Sequence, residues 1–246
     1  MDITINIIYL VLLFALALIV FKYLETFWTY KVYKPYLWEQ AVKNSTLSPI
    51  LKSLERKYYD KIRLYNMWLQ IERIKRENIQ GNFAELGVHK GETAKIIYEM
   101  SGSQKLHLFD TFEGFSEKDL QHESKKGGQY TTSEFSDTSL AEVKKYINGD
   151  ARVIYHPGYF PDTAKGLENE QFSFVHLDAD LYLPTIEALK FFYPRLTPGG
   201  AIIIHDYNHI WDGIKKAVHE FMPTIPENLI ELADWKGSAM IIKNKR

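Results

Sequence analysis

The chain of 246 residues is 46% hydrophobic, 25% charged and 14% aromatic, a globular composition that excludes a disordered, collagen-like or low-complexity protein. Its 30 Lys and Arg nearly cancel its 31 Asp and Glu, so the overall balance gives no reason to expect nucleic acid as a partner. Cysteine is absent, which removes disulfide frameworks, cysteine-ligated zinc, iron–sulfur clusters and thiol nucleophiles together.

Ile3 to Phe21 form a 19-residue run in which the clearly polar residues are Thr4 and Asn6. As a helix it would be ~28 Å long, close to the thickness of the hydrocarbon core of a bilayer. A membrane anchor, a cleaved signal peptide and a buried core helix all compete for such a run. Asp2 is the one charged side chain ahead of it, where a signal peptide would carry basic residues, and the small-residue pattern Ala15-Leu16-Ala17 lies inside the run. The run therefore reads as a transmembrane helix over 3–21. Lys22, Lys31 and Lys34 follow it and no Lys or Arg precedes it, which places the bulk of the chain in the cytoplasm.

Residues 22–80 read as basic and aromatic juxtamembrane helices. Tyr23, Phe27, Trp28, Tyr30, Tyr33, Tyr36 and Trp38 are interleaved with lysines, which suits either a helix at the headgroup level or an aromatic face packed on a domain. Residues 22–81 hold 12 Lys and Arg against 6 Asp and Glu, so the remainder is acidic. From Tyr59 to Asn78, Leu64, Trp68, Ile71 and Ile74 recur at helical spacing and predict an amphipathic helix that ends before Gly81.

From residue 81 to the C-terminus, short apolar runs alternate with helical ones. NFAELGV, KLHLFDTF, ARVIYHP, FSFVHLDAD and AIIIHDY read as strands, separated by helices such as Glu92 to Met100, Leu140 to Ile147 and Thr185 to Tyr193. This alternation predicts a mostly parallel sheet in a doubly wound, Rossmann-like α/β domain over 81–246. LIELAD and SAMIIK are joined only by Trp235-Lys236-Gly237, too short for a crossover helix, and predict a closing antiparallel hairpin. Residues 116–139 are polar and lack periodicity, so they form either a lid or a plain surface insertion.

In an open α/β sheet, ligands bind beyond the carboxyl ends of the strands. The first strand ends Glu85-Leu86-Gly87-Val88-His89-Lys90-Gly91: Gly87 permits close backbone approach, Gly91 opens a helix, and Glu85 would repel a pyrophosphate but accept an ammonium group. Asp110 closes the second strand, where a carboxylate can bind ribose hydroxyls. Together these residues suit a nucleoside with an amino-acid tail, S-adenosylmethionine, better than NAD. The fourth and fifth strands end in Asp178-Ala179-Asp180 and His205-Asp206. So many carboxylates in one crevice are costly unless a cation binds or one is protonated, and this oxygen-rich set points to magnesium or, with an imidazole, manganese.

With these residues assembled, the chain from about Met67 onward resembles the macrocin O-methyltransferase (TylF) family of class I S-adenosylmethionine-dependent methyltransferases. The resemblance is carried by GNFAELGVHKGETA, LFDTFEGF, HPGYFPDT, FVHLDADLYLPTIEALKFFYPRLTPGGAIIIHDYN and WKGSAMIIK, in that order. It implies a seven-stranded sheet of order 3-2-1-4-5-7-6. It also implies that Glu85 and Gly87 hold the methionine part of the cofactor, with Gly91 opening the adjoining helix, and that Asp110 holds the ribose. Gly158 and Tyr159 would lie near the cofactor, Asp178 and Asp206 would ligate the metal, and Asp180 would be the general base. Where better-known members that act on antibiotic sugars have paired aspartates, this chain has His205-Asp206, with His205 taking the place of one metal ligand.

The resulting expectation is a metal-assisted O-methyltransferase acting on a hydroxyl of a small-molecule or lipid-linked sugar near the membrane. A catechol-type acceptor, an NAD-dependent sugar oxidoreductase and an inactive anchored scaffold are the competing readings. Expected partners are the acceptor and the membrane, through a single-pass anchor, with homo-oligomerisation left open.

Overall fold

The structure, a computed structural model, describes residues 3–29, 33–123, 130–209 and 212–245. The chain divides into two compact units, Met1–Gln40 and Ala41–Arg246.

In the first unit, helix α1 runs from Ile3 to Thr29. Ile5–Phe27 within it is long and apolar enough to cross a membrane, and none of that span is buried. A 23-residue helical span rises ~35 Å, and toward its end Lys22 pairs with Glu25 at 2.7 Å. Helix α2 (Tyr36–Lys43) follows.

In the second unit, α3 (Pro49–Lys57) begins at Ser48, whose hydroxyl accepts the Leu51 amide at 3.0 Å and so caps the first turn. Helix α4 (Lys61–Arg76) is capped by Asp60, whose Oδ1 accepts the Arg63 amide at 3.0 Å. Leu64, Met67, Trp68, Ile71 and Ile74 are buried along α4, as the helical spacing predicts. Each such side chain contributes about 1.5–3 kcal/mol of burial. Helices α3 and α4 pack on α5, and α4 also packs on the fourth and fifth strands. The compact α/β unit therefore starts about 40 residues before residue 81, because these helices cover a sheet face that would otherwise be exposed.

The strands are β1 (Asn82–Leu86), β2 (Leu106–Asp110), β3 (Val153–Pro157), β4 (Phe172–Leu177), β5 (Leu196–Ile204), β6 (Ile230–Glu231) and β7 (Ala239–Ile242). They form one sheet of order β3-β2-β1-β4-β5-β7-β6. The pairs from β3 to β5 are parallel, and β7 runs antiparallel to both β5 and β6. The closing hairpin is thus present, although β6 is only two residues long.

Helices α5 (Glu92–Met100) and α7 (Leu140–Ile147) join α3 and α4 on one face. The other face carries α8 (Tyr182–Arg195) and α9 (Asp212–Phe221), packed on each other, with short α6 (Glu117–Leu120) against α8. Phe109, Phe172, Phe192 and Ile202 are completely buried within the core on this side. The strands stop at Leu86, Asp110, Pro157, Leu177 and Ile204. Most of the polar residues singled out in the sequence therefore stand at strand ends or in the loops beyond, on one edge of the sheet.

Candidate active site

These loops line a cavity of about 520 Å³. Its first wall is made largely of backbone. The Asp178 amide donates to the Leu86 carbonyl at 2.8 Å, so the loops after β1 and β4 touch. A Cβ on Gly87, at φ 87°, would lie 2.0 Å from the Asp178 carbonyl oxygen; only glycine passes here. Gly91 is also left-handed, at φ 82°, and a Cβ there would press on Val143 of α7 at 3.1 Å.

Asp110 shapes this wall from below. Its Oδ2 accepts the Val88 and His89 amides at 2.7 and 2.8 Å, and its Oδ1 accepts the Phe112 amide at 2.6 Å. A carboxylate offers about four acceptor directions, so roughly one is left for a ligand hydroxyl. The Gly158 amide donates to the Asp110 carbonyl at 2.9 Å. The Tyr159 hydroxyl donates to Asp119 at 2.6 Å, and both Gly158 and Tyr159 line the cavity.

Glu85 does not reach this wall. It is completely buried, pairs in register with His176 on β4, and accepts from His176 Nδ1 at 3.0 Å. Through His176 it is linked to Arg63 of α4, and it is not among the residues that line the cavity. Burial pushes the Glu85 carboxyl well above its ordinary range, and its Oε2 has no hydrogen-bond partner among the described residues.

The second wall is built from charged side chains around buried Arg63 of α4. Its guanidinium bonds to Asp178 Oδ2, lies 3.2 Å from His205 Nε2 and lies 3.0 Å from His176 Nε2. His205 Nδ1 lies 2.9 Å from Asp178 Oδ1 and 3.1 Å from Asp206 Oδ1, and Lys236 reaches Asp206 Oδ2 at 3.4 Å. A guanidinium can only donate, so Nε2 of both imidazoles must accept. Each Nδ1 then carries the hydrogen, which His176 directs to Glu85 and His205 to Asp178.

The electrostatics follow from this arrangement. Burial alone would raise Asp178, but Arg63 and His205 outweigh it and hold the carboxyl well below the usual range. Asp180, at φ 58°, is pushed well above that range by burial and by the neighbouring Asp178 and Asp206 carboxylates. Burial and Arg63 drive His176 well below ordinary imidazole values. Burial also pushes the hydroxyl of Tyr58, on the same wall, up to about 12.

Residues 130–139 lie against the first wall. Phe135 meets His89 edge-on at 5.1 Å and Phe115 at 5.1 Å, Asp137 binds both His89 and Lys90, and the Thr138 hydroxyl donates to the His89 carbonyl at 2.8 Å. Part of the lid considered over 116–139, residues 124–129, lies outside the described residues.

A profile of the macrocin O-methyltransferase family matches residues 53–224. The chain belongs to the macrocin O-methyltransferase (TylF) family. It is 29% identical over 170 residues to the 8-demethyl-8-(2,3-dimethoxy-alpha-L-rhamnosyl)-tetracenomycin-C 4'-O-methyltransferase of Streptomyces olivaceus, a match that covers 65% of this chain and 64% of that relative. It is 28% identical over 197 residues to the mycinamicin III 3''-O-methyltransferase of Micromonospora griseorubida, covering 72% of this chain and 76% of that one. Among solved structures, the O-methyltransferase NovP superposes with a TM-score of 0.66 at 22% identity, covering 75% of this chain and 81% of that one. CalS11, a calicheamicin methyltransferase, gives 0.58 at 18% identity, covering 86% and 94%. At these identities the structural likeness shows a shared fold.

The metal expected in this TylF-family site meets a prior occupant. Asp178, His205 and Asp206 do bring one donor atom each within 4.8 Å of one another, and Asp206 Oδ1 accepts no hydrogen bond among the described residues. His205, however, offers neither nitrogen: Nε2 faces Arg63, and Nδ1 carries the hydrogen pointed at Asp178. Both Asp178 oxygens are likewise engaged. With Arg63 in place, the residues do not fit a divalent ion ligated by His205. The clustered carboxylates that suggested such an ion are offset instead by Arg63 and Lys236, with Asp180 favoured in its protonated form.

Sequence reasoning missed Arg63, Lys236 and an aromatic pair, Tyr59 and Trp235. The last two line the cavity, meet edge-to-face at 5.0 Å and remain 73% and 56% exposed. Asp60 joins these parts, because its Oδ2 accepts the Trp235 amide at 2.9 Å while Oδ1 caps α4. One signal was available for Arg63: it stands one helical turn before buried Met67, an unusual place for a charge unless it is paired.

Proposed function

We propose that this chain is an S-adenosylmethionine-dependent O-methyltransferase that methylates a sugar hydroxyl. The observation that carries the reading is the pairing of a glycine-built wall, open to close backbone approach, with a carboxyl of raised pKa across the same cavity. Gly87, Gly91, Gly158 and Tyr159 would border the cofactor, and Asp110 would offer its remaining acceptor position to the ribose. When bound, the cofactor supplies a methyl group on a sulfonium.

Asp180, once ionised, accepts the proton of the acceptor hydroxyl as that oxygen attacks. A carboxyl raised toward working pH is a stronger base than an ordinary one, and such placement contributes about 10²–10⁴-fold. Asp178 and Asp206, held by Arg63 and Lys236, shape the pocket around it. The exposed rings of Tyr59 and Trp235 suit the apolar face of a sugar, and the curated relatives are named for rhamnosyl and mycinamicin substrates.

Helix α1 extends the reading to location. Its length and unburied apolar surface support a single-pass anchor, with the enzyme on the cytoplasmic side and a lipid-linked glycan as acceptor.

Calorimetry with S-adenosylmethionine, S-adenosylhomocysteine and NAD tests the cofactor; binding of NAD alone overturns the reading. Transfer of labelled methyl to deoxysugars and membrane glycolipid extracts, with catechols alongside, tests the acceptor. Product on catechols alone would reject a sugar. Equal rates on soluble sugar nucleotides and on membrane extracts would leave the lipid-linked acceptor without support.

A further inference from the structure

We infer that Arg63 is the resident cation of this site, filling with a side chain the place for which a divalent ion was expected and fixing the tautomers of two histidines at once. The inference deepens the proposed function, on which it depends only for its catalytic consequence.

The geometry allows little else. Arg63 reaches three acceptors: Asp178 Oδ2, His205 Nε2 at 3.2 Å and His176 Nε2 at 3.0 Å. Because guanidinium cannot accept, both imidazoles are neutral with hydrogen on Nδ1, and each Nδ1 has a carboxylate partner, Asp178 at 2.9 Å and Glu85 at 3.0 Å. The result is two imidazole–carboxylate pairs locked by one planar fork. Lysine, a single point of charge, could not span all three acceptors.

The charges then close without a metal. Arg63 stands against Asp178 and Lys236 against Asp206, two cations for two carboxylates. A divalent ion bound through His205 would have to displace the guanidinium from Nε2 or take the place of the hydrogen on Nδ1. His205 accepts from Nη1 without adding a negative charge, whereas an aspartate there would accept equally well but leave the cluster with one more carboxylate to offset. Arg63 is thus a positioning residue, which holds Asp178 and His205 beside the base.

Two measurements on the full-length wild-type protein test this, each with and without S-adenosylhomocysteine. Nitrogen-15 histidine spectra, assigned by loss of signals in His176→Gln and His205→Gln, should show both imidazoles with hydrogen on Nδ1. Hydrogen on Nε2 of His205 overturns the inference. Titration with Mn²⁺, followed by the electron paramagnetic resonance of the free ion, should show no stoichiometric site at millimolar metal. A stoichiometric site lost in His205→Gln overturns it equally.

Arg63→Met should create or tighten a Mn²⁺ site by at least about tenfold, and Arg63→Lys should not restore the histidine spectrum. If Arg63→Met does not fold, the wild-type results still decide. Methyl transfer should be insensitive to EDTA, and a requirement for added metal overturns the catalytic consequence. If no acceptor is methylated under any condition, the proposed function fails, while the tautomer and metal-binding results stand or fall on their own.

Discussion

The two walls of the cavity are built in opposite ways. The wall formed by β1, β2 and β3 consists of backbone: left-handed glycines, amides turned onto Asp110, and a loop held by the Gly158 amide. The wall formed by β4, β5 and the last hairpin consists of charged side chains clasped by Arg63 and Lys236. A backbone wall tolerates almost no added atom but is indifferent to most charge changes. A charged wall tolerates changes of shape but not the loss of one partner, because a buried charge is then left unpaired.

This contrast can be broken or sharpened by substitution. The largest effect should come from Asp180→Asn, which removes the proposed base: kcat should fall by about 10²–10⁴ while S-adenosylhomocysteine affinity stays unchanged. If affinity falls as well, the two walls are not independent. Gly87→Ala should do the reverse. Its Cβ meets the Asp178 carbonyl oxygen, so calorimetry should show cofactor affinity reduced about 100-fold, a cost of several kcal/mol from strain and overpacking.

Acid should weaken the strands under the backbone wall. On β2, burial and then His156, 3.0 Å away on β3, pull the His107 pKa down to about 4. Unfolded chains take up a proton at His107 below about pH 6.5, whereas the native chain withholds it until about pH 4. Stability at this position is therefore complete above pH 6.5 and falls, by about 3 kcal/mol, as pH drops toward 4. Urea midpoints measured across this range should show the loss, and His107→Gln should remove most of the slope. The smallest effect should be that of Trp235→Ala, raising the acceptor KM about tenfold with kcat held, since the ring contributes contact and no chemistry. A fall in kcat instead would mean that Trp235 positions Lys236.

How much was legible beforehand divides along the same line. The strands, the closing hairpin and the convergence of Asp178, Asp180, His205 and Asp206 were readable, since strands declare themselves by apolar runs and strand ends inherit a common edge, whereas the strand order came with the resemblance to the TylF family. Gly87 was legible as a glycine that a close approach requires. Glu85 was legible as a carboxyl near the end of β1, but its partner His176 was not, because the two are 91 residues apart in sequence. Arg63 was invisible for a different reason. It belongs to a helix read only for its apolar stripe, and it meets Asp178 across 115 residues of chain. Apolar periodicity reports which side of a helix is buried; it does not report which distant carboxylate that side will find. The same limit hid the counter-charge: a cluster of carboxylates in sequence calls for a cation, and nothing local shows whether the cation is an ion or a side chain.

Asp60 joins parts of the chain that are made far apart in time. One carboxylate oxygen starts the helix that carries Arg63, and the other holds Trp235, 175 residues later. During synthesis the α4 helix, both aspartate loops and the glycine turn are all made before Trp235 and Lys236. A nascent or truncated chain therefore has its carboxylates in place with one of their two counter-charges missing and the aromatic pair incomplete. Addition of Trp235 and Lys236 sets when the lining of this cavity is first complete.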